Sequence, residues 1–396
     1  MIIGLIREGK MPADNRVALT PAQCKWLGRQ GVQVIAQPSP HRCFSDREYV
    51  QAGIELNEDL SRCDVLFGIK EVPINMLIPG KTYLFFSHTR KKQPYNQAMF
   101  RAMIDQQITL IDYESMEHAD GQRIIGFGFF AGIVGAHNGM MAYGRRTGKF
   151  MLDRVFRVKD YRALIHTYFG LHLSPVKITV TGSGRVAHGI LEVMNLMDVQ
   201  EVDPEEYLSR RFAYPVYVHL KGNGLYQQKN GGSYSRDDFH HHPERYESIF
   251  PQYLPHTDIL MNGVYWDAGI PRLFEWDAMA ENEFAIQTIA DITDDLQGSI
   301  PCNLGDGSKE EPVYGVDKLQ GIKTAPYLPG SVDVMAVGNL PNELPRDASR
   351  YFGEQLIKHI LSEIEKPGSE VISCATMLSK GKLTAPFQYL HDYAGV

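Results

Sequence analysis

The chain has 396 residues, 43% hydrophobic and 22% charged, an ordinary globular composition that is long enough for two hydrophobic cores. Its formal net charge of −7, with Lys and Arg scattered along the chain, argues against nucleic-acid binding, so we expect small-molecule partners. The five cysteines are an odd number without a CxxC pair, which favours a reducing cytoplasm.

The N-terminal third alternates short apolar runs with helical patterns. The strand-like runs are residues 1–7, 32–36, 65–70 and 83–87, and the helical patterns are residues 21–30 and 96–106. This alternation is typical of a parallel α/β sheet. Because no apolar run approaches the roughly 20 residues that span a bilayer, and residues 1–7 are too short for a secretion signal, we do not expect a membrane protein.

Residues 126–146 are rich in Gly, Ala, Met and Phe and contain no proline, which predicts a long buried helix linking two lobes. A second α/β unit follows this helix. Its β-branched strand, residues 176–181, leads into Gly182-Ser183-Gly184-Arg185-Val186-Ala187 and then into a helix that ends near residue 197. The order of strand, glycine-rich turn and helix is that of a dinucleotide-binding unit.

The turn satisfies the G-x-G-x-x-G/A fingerprint. Gly182 makes the tight turn, Gly184 lets backbone amides approach a pyrophosphate, and the small Ala187 lets helix and strand pack closely. Asp203 lies 21 residues after Gly182, where an acid holds the ribose 2′-hydroxyl. The alternative is a glycine turn that binds nothing, with Asp203 in a strand-end turn.

Charges near Asp203 leave both NAD and NADP open as the coenzyme. Asp203, Glu205 and Glu206 would repel the 2′-phosphate of NADP, whereas Arg210 and Arg211 lie close enough in sequence to attract it.

The polarity and periodicity of residues 203–364 predict the elements that follow the first helix of the second unit. Residues 203–255 are polar, aromatic and Gly-rich, which indicates an insertion with a mobile loop. Strands resume at residues 258–262 and 285–291, and residues 345–364 have the apolar spacing of a helix.

Cationic residues follow the predicted strand ends of the first lobe, where open α/β sheets place their sites. The candidate residues of this lobe are Lys10, Arg16, Lys70, His88 and Lys91, with Glu114 and Arg123 flanking the next turn. Arginines suit a substrate with several carboxylates, and redox chemistry at a carbon–nitrogen bond needs a base near neutrality, either histidine or a lysine whose pKa is lowered. The alternative is that these cations are solvated surface charges.

The triplet His240-His241-His242 invites a metal site, but neighbouring side chains of an extended segment point to opposite faces. We therefore expect a loop role and no metal.

Nine stretches together resemble one family, the saccharopine dehydrogenases and lysine–2-oxoglutarate reductases, which are related to alanine dehydrogenase and the transhydrogenase nucleotide domains. They are residues 15–21, 67–70, 85–89, 112–114, 126–132, 181–184, 262–266, 291–295 and 339–341. Residues 242–246, 265–266, 271–273 and the tail around Tyr389 look more like the reductase half of the plant and animal bifunctional enzymes. The second catalytic domain of those enzymes has no counterpart in this sequence.

The resemblance implies roles for the candidate residues. Lys70 would exchange the proton of the secondary amine, His88 would serve imine formation and hydrolysis, and Glu114 would tune the neighbouring cations. The substrate carboxylates would be held by Arg16 and Arg123, with Lys10 and Lys91 assisting. The expected coenzyme contacts are Gly182, Ser183, Gly184, Arg185, Val186, Asp203, Asn262, Tyr265 and Asp291.

The implied fold is α/β with two Rossmann-like domains. A substrate domain of residues 1–135 and 340–396, completed by a C-terminal helical segment, would close over an amino-acid substrate with an inserted coenzyme domain of residues 136–339. Hinges are expected near residues 126–136 and near Asn339.

The first functional hypothesis is the NAD- or NADP-dependent condensation of lysine with 2-oxoglutarate to saccharopine, or its reverse, by a monomer or homo-oligomer. The second keeps the fold and changes the substrate to alanine or another amino or opine acid. The third is a nucleotide-binding regulator without catalysis, which would survive Lys70→Met and His88→Gln.

Overall fold

The computed structural model describes residues 1–118 and 121–395, and the chain separates into two compact units. Unit 1 consists of Met1–Phe127 and Pro345–Val396, and unit 2 is Gly128–Leu344. Unit 2 is therefore inserted into the sequence of unit 1. The boundary predicted between residues 135 and 136 lies inside a helix that spans Gly128–Thr147.

The strands, in chain order, are β1 (Ile2–Leu5), β2 (Gln33–Ala36), β3 (Glu55–Leu56), β4 (Val65–Phe67), β5 (Thr82–Phe85), β6 (Thr109–Asp112), β7 (Lys177–Thr181), β8 (Gln200–Glu201), β9 (Val216–Leu220), β10 (Tyr226–Gln228), β11 (Tyr246–Ser248), β12 (Ile259–Asn262), β13 (Thr288–Asp291), β14 (Val313–Asp317), β15 (Lys323–Thr324), β16 (Ser331–Met335), β17 (Thr376–Ser379) and β18 (Lys382–Leu383).

The α-helices are α1 (Pro21–Arg29), α2 (Asp46–Gln51), α3 (Gln97–Asp105), α4 (Gly128–Thr147), α5 (Tyr161–His166), α6 (Arg185–Leu196), α7 (Pro204–Ser209), α8 (Arg236–His241), α9 (Pro345–Gln355), α10 (Leu361–Glu365), α11 (Glu370–Ala375) and α12 (His391–Ala394). A π-helical turn, Leu356–Ile360, joins α9 to α10. Among the described residues, none of these helices has both the length and the apolar character that crossing a bilayer requires.

Unit 1 is built on an eight-stranded sheet with the order β18-β17-β6-β5-β4-β1-β2-β3. The first six strands of the chain pair in parallel, and β4 is buried along its whole length, as expected for a sheet covered on both faces. The C-terminal segment was predicted to add a helix. It also adds two strands at the β6 edge: β17 pairs antiparallel with β6, and β18 pairs antiparallel with β17. The sequence did not predict them because they are short and have polar flanks.

Unit 2 contains a second eight-stranded sheet, with the order β15-β14-β16-β13-β12-β7-β9-β8. The strands β7, β8, β9, β12, β13 and β16 pair in parallel, and β14 pairs antiparallel with both β16 and β15. The helix α4 packs closely against α6 at Gly132, which has no side chain. A Cβ atom there would lie only 2.1 Å from the Val186 carbonyl oxygen. The small residues of the predicted helix thus serve close packing within unit 2.

The interpretation of residues 203–255 as an insertion is wrong. The segment contributes β9, which lies between β7 and β8 in the main sheet, and the antiparallel pair β10–β11. Its aromatic side chains, which suggested a loop, build a hydrophobic core, with Tyr207, Tyr246 and Phe250 fully buried. Polarity misled here because tyrosine buries its ring while its hydroxyl finds a partner.

Candidate functional site

The neighbouring parallel strands β4 and β5 of unit 1 bring two candidate residues to the same edge of the sheet. Phe67 of β4 pairs with Leu84 of β5, and the chain continues past these strands to Lys70 and to His88, respectively. His88 has a φ of 49°, in the left-handed backbone region that residues other than glycine rarely adopt. Strained backbone of this kind is typical of functional sites.

A buried carboxylate, Glu71, gathers three side chains at this edge. Its Oε1 lies 2.7 Å from His88 Nδ1 and 3.0 Å from Asn96 Nδ2, and Lys10 Nζ lies 2.7 Å from Oε2. Burial works to raise the pKa of Glu71, but the hydrogen bond and charge of His88 and the hydrogen bond of Lys10 hold it well below its usual range. An ionised Glu71 accepts from His88 Nδ1, which leaves Nε2 as the nitrogen for proton exchange.

Lys70 is the second candidate acid–base group. Burial and the positive charge of Arg16 lower the pKa of Lys70 to about 8. Its backbone is fixed by Glu8, whose side-chain oxygens accept from the amides of Ile69 at 2.7 Å and Lys70 at 2.9 Å. Burial and the negative charge of Asp14 raise the pKa of Glu8 to about 8.

Sequence reasoning did not single out Glu71 or Glu8. The only local signal was that Glu71 adjoins Lys70, because both acids act through contacts with residues distant in sequence.

Arg16 is buried rather than displayed. Its Nη2 lies 2.6 Å from Asp14 Oδ2, its Nε lies 3.0 Å from Asp14 Oδ1, and its guanidinium stacks 4.1 Å from the ring centroid of Phe127. The ion pair fixes the guanidinium near Lys70, where its charge lowers the pKa of the lysine. Its predicted contact with a substrate carboxylate stays a prediction.

Glu114 and Arg123 form a separate pair. Arg123 Nη2 lies 3.6 Å from Glu114 Oε1, and the Arg123 side chain is 45% exposed, which leaves part of the guanidinium open to a ligand. The backbone amide of Glu114 donates to Asp112 at 2.6 Å. Lys91 is exposed on the loop after His88.

The glycine turn of unit 2 has the features of a dinucleotide cradle. Gly182 has a φ of 106°, and a Cβ atom there would lie 2.3 Å from the Gly263 carbonyl oxygen, so the position requires glycine. The turn ends at Gly184, the N-cap of the twelve-residue helix α6, whose first amides and dipole favour an anion. His219 Nε2, 2.7 Å from the Gly182 carbonyl oxygen, braces the turn from β9.

These residues fit a nicotinamide dinucleotide. Ser183 and Gly184 are exposed at the tip of the turn, and Arg185 and Val186 are half-buried at the start of α6. Among the described residues, a methyl group at Gly184 would meet no atom within 4 Å, so open space lies where a pyrophosphate has to approach.

The other predicted coenzyme residues divide into a buried pair and an exposed residue. Asn262 Nδ2 donates to Asp291 at 2.7 Å, and both side chains are buried behind the turn. Burial raises the pKa of Asp291 to about 6. Tyr265 is 66% exposed. We infer that Asn262 and Asp291 support the ends of β12 and β13.

The strand order changes the position expected for an acid on the ribose. Asp203 is exposed and follows the edge strand β8, which β9 separates from β7. The strand beside β7 is β9, where Thr181 pairs with Leu220, so the next residue, Lys221, occupies the place where Asp203 was expected. The predicted contact of Asp203 with the ribose stays a prediction.

The triplet of histidines engages separate partners. His241 Nδ1 lies 2.7 Å from the Asp237 carbonyl oxygen, and His242 Nδ1 lies 3.3 Å from Glu244 Oε1. These contacts are those of a short helix end.

The first third of the chain matches a known domain family. Residues 4–134 match the family described as alanine dehydrogenase/PNT, N-terminal domain. This match covers most of the N-terminal part of unit 1 and extends into the start of α4 in unit 2.

Two groups of curated proteins are similar to nearly the whole chain. The mitochondrial alpha-aminoadipic semialdehyde synthase of Rattus norvegicus is 30% identical over 98% of this chain and 47% of its own length. The saccharopine dehydrogenase (NAD(+), L-lysine-forming) of Yarrowia lipolytica is 24% identical over 90% of each chain. The chain thus spans about half the length of the synthases it matches.

Two solved structures share the fold. An L-alanine dehydrogenase superposes with a TM-score of 0.66 at 15% identity, covering 99% of both chains. A transhydrogenase from Sinorhizobium meliloti superposes with a TM-score of 0.61 at 15% identity, covering 98% of this chain and 99% of its own.

Proposed function

We propose that this chain is a nicotinamide-dependent oxidoreductase of carbon–nitrogen bonds. The premise is that it belongs to the superfamily of alanine dehydrogenase and the transhydrogenases, in the branch of the aminoadipic semialdehyde synthases and saccharopine dehydrogenases. The reaction we propose joins the ε-amine of lysine to the keto carbon of 2-oxoglutarate and reduces the product to saccharopine. The reverse reaction uses the same groups.

The acid–base set around Glu71 is the observation that supports this function most. In the forward direction the amine adds to the keto carbon, a proton moves to the former carbonyl oxygen, and water leaves to give an imine. His88, held through Nδ1 by Glu71, exchanges these protons through Nε2. A nicotinamide coenzyme, when bound, would supply the hydride that reduces the imine carbon. Lys70 supplies the proton that the nitrogen requires.

The cations of unit 1 match the charge of the substrates. Lysine and 2-oxoglutarate bring three carboxylates, and a partly exposed arginine is the side chain best suited to a bidentate contact. Arg123, 45% exposed, is the arginine we propose for this role, with Lys91 on the neighbouring loop. Lys10 and Arg16 supply positive charge close to Lys70.

The coenzyme we propose is NADP rather than NAD. In dinucleotide-binding sheets an acid at the end of the strand beside the glycine turn selects NAD, because it accepts the hydrogen bond of the 2′-hydroxyl and repels a 2′-phosphate. That position is held here by an exposed lysine, Lys221. A lysine favours the phosphate by charge.

The experiment is a turnover assay on the purified protein with lysine, 2-oxoglutarate and NADPH, following the loss of reduced-nicotinamide absorbance. We expect activity with this set and saccharopine as the product. Activity with ammonia and pyruvate instead would favour an alanine dehydrogenase reaction. Binding of NADPH without turnover of any amino acid would favour a regulator and contradict the proposal.

The cellular location stays a prediction. A cytoplasmic protein was expected, whereas the rat and mouse relatives are mitochondrial proteins.

A further inference from the structure

His88 is held at its main chain by neighbours that are themselves fixed. His88, with a φ of 49°, lies in sequence between Ser87 and Thr89, whose side chains are fully buried. Ser87 Oγ lies 2.7 Å from Thr89 Oγ1, and Thr89 Oγ1 lies 3.5 Å from the Met377 sulfur of β17. Asn96 Nδ2 donates to the Ser87 carbonyl oxygen at 2.9 Å. A strained residue persists only where its surroundings determine it in this way.

The buried carboxylate of Asp112 anchors this arrangement. Its Oδ2 accepts the backbone amide of Ser87 at 3.2 Å and also the Ser87 hydroxyl. Because the Ser87 proton goes to Asp112, the hydroxyl oxygen is left to accept from Thr89. Asp112 is fully buried at the end of β6, where it pairs with Phe85 of β5.

The same carboxylate holds a second candidate residue. Asp112 Oδ1 accepts the backbone amide of Glu114 at 2.6 Å. Each oxygen of Asp112 therefore fixes the main chain next to a different group of the site, His88 on one side and Glu114 on the other. A buried carboxylate that accepts three donors is satisfied and specifies one geometry.

We propose that Asp112 is a positioning residue for the reaction, which sets the backbone of His88 through Ser87 and that of Glu114 directly. This inference rests on the proposed function, since it concerns the acid–base groups of that same site. Asp112 and Ser87 touch no reacting atom in this role. They act by keeping His88 in its left-handed conformation, with Nδ1 on Glu71.

The test is a double-mutant cycle between Ser87→Ala and His88→Gln. Ser87→Ala removes the hydroxyl and leaves the contact between Asp112 and Glu114. We expect it to lower kcat about tenfold in the wild-type background, with the KM for coenzyme unchanged, and less than twofold in the His88→Gln background. An equal loss in both backgrounds would overturn the proposal, because Ser87 would then act independently of His88.

Ser115→Ala is the matched control. Ser115 is also buried, on the turn that carries Glu114, and its hydroxyl has no hydrogen-bond partner among the described residues. Its removal is expected to leave kcat within twofold of the wild type. Should Ser87→Ala fail to fold, Thr89→Val replaces it, because it removes a hydroxyl of the same chain of bonds at nearly constant volume.

A second readout does not depend on turnover. Asp112→Asn replaces one of the two acceptor oxygens by a donor, so backbone hydrogen exchange is expected to speed up at least tenfold relative to Ser115→Ala at whichever amide, Ser87 or Glu114, loses its acceptor. Unchanged exchange at both amides would overturn the anchoring role. If Asp112→Asn shows this faster exchange while the wild-type protein shows no turnover, the proposed function is refuted and the anchoring role of Asp112 stands.

Discussion

The Nδ1 atom of His88 lies 2.7 Å from Oε1 of Glu71, and the same carboxylate binds the ammonium group of Lys10 at 2.7 Å. The buried Glu71 thereby brings together His88 and Lys10, two candidate residues that the sequence analysis had identified separately. Since a negative Glu71 compensates both partners, it lets an imidazole and an ammonium share a small space without net repulsion.

The first prediction concerns this carboxylate. Glu71→Gln keeps the shape and one acceptor oxygen but removes the charge, so His88 and Lys10 lose their shared partner. We expect kcat/KM for lysine to fall by about tenfold to a hundredfold, within the range that general acid–base catalysis contributes. Steady-state kinetics measure the loss. Glu58→Gln is the control, because Glu58 is a 62% exposed surface acid whose neutralisation is expected to leave kcat/KM unchanged.

The second prediction is a pH dependence that arises from Lys70. Burial and the charge of Arg16 lower its pKa to about 8, so the amine is a base above this pH and an acid below it. The oxidation of saccharopine needs the base, and its kcat/KM is expected to rise as the pH passes through about 8. The reductive direction needs the acid and is expected to fall over the same interval.

Lys70→Met is expected to remove this limb of both pH profiles and nearly all activity. The exposed Lys25 of α1 provides the control variant Lys25→Met, for which the profiles are expected to match those of the wild type. A limb near pH 8 that survives in Lys70→Met would assign the titration to another group.

The sequence predicted best the elements that have a local signal. Apolar runs and turn glycines are local signals, and they located β1, β2, β4, β5, β7 and the turn at Gly182 within a few residues. Strand-end cations were found for the same reason, since a residue after an apolar run is visible without knowing the strand order.

The missing parts depend on contacts between distant residues. Glu71 and Asp112 are acids that contact residues of other strand ends, and apart from the position of Glu71 next to Lys70 their sequence neighbourhood does not separate them from surface acids. The placement of β9 beside β7 is a property of the sheet, so the sequence distance from Gly182 pointed to Asp203.

The third prediction separates folding from coenzyme binding within the glycine turn. Gly184 has a φ of −91°, and a methyl group there meets no described atom within 4 Å, so Gly184→Ala is expected to fold with an unchanged melting temperature. The methyl group occupies the space that a pyrophosphate approaches, and we expect at least a tenfold weaker Kd for NADPH by fluorescence titration.

Two further glycines calibrate this result. Gly182→Ala is expected to lower the melting temperature as well, because the residue has a positive φ and no room beside Gly263. Gly28→Ala, within α1 and also in open space among the described atoms, is expected to keep Kd and to gain up to about 1 kcal/mol of stability from helix propensity. Equal NADPH affinity of Gly184→Ala and wild type would place the pyrophosphate elsewhere.

The last prediction concerns the choice of coenzyme. Thr181, the last residue of β7, pairs with Leu220 of β9, and Gly182 donates its amide to the Leu220 carbonyl oxygen at 3.0 Å, so Lys221 follows directly beside the turn. Replacing Lys221 with Glu exchanges a favourable charge for a repulsive one at the proposed 2′-phosphate and offers an acceptor to a 2′-hydroxyl. We expect Lys221→Glu to weaken NADPH at least tenfold and to strengthen NADH.

The rival explanation places the phosphate near Arg210 and Arg211. These arginines follow α7, and the Arg210 carbonyl oxygen accepts from Nζ of Lys177, the first residue of β7, at 3.3 Å, so Arg210 lies toward the end of β7 opposite the glycine turn. The Arg210 side chain is already paired with Glu206. Arg211→Glu introduces the same change of charge as Lys221→Glu, so the two variants differ only in position. A preference for NADPH that survives Lys221→Glu and disappears in Arg211→Glu would assign the phosphate to these arginines. The reverse pattern is expected if the sheet order decides where the ribose lies.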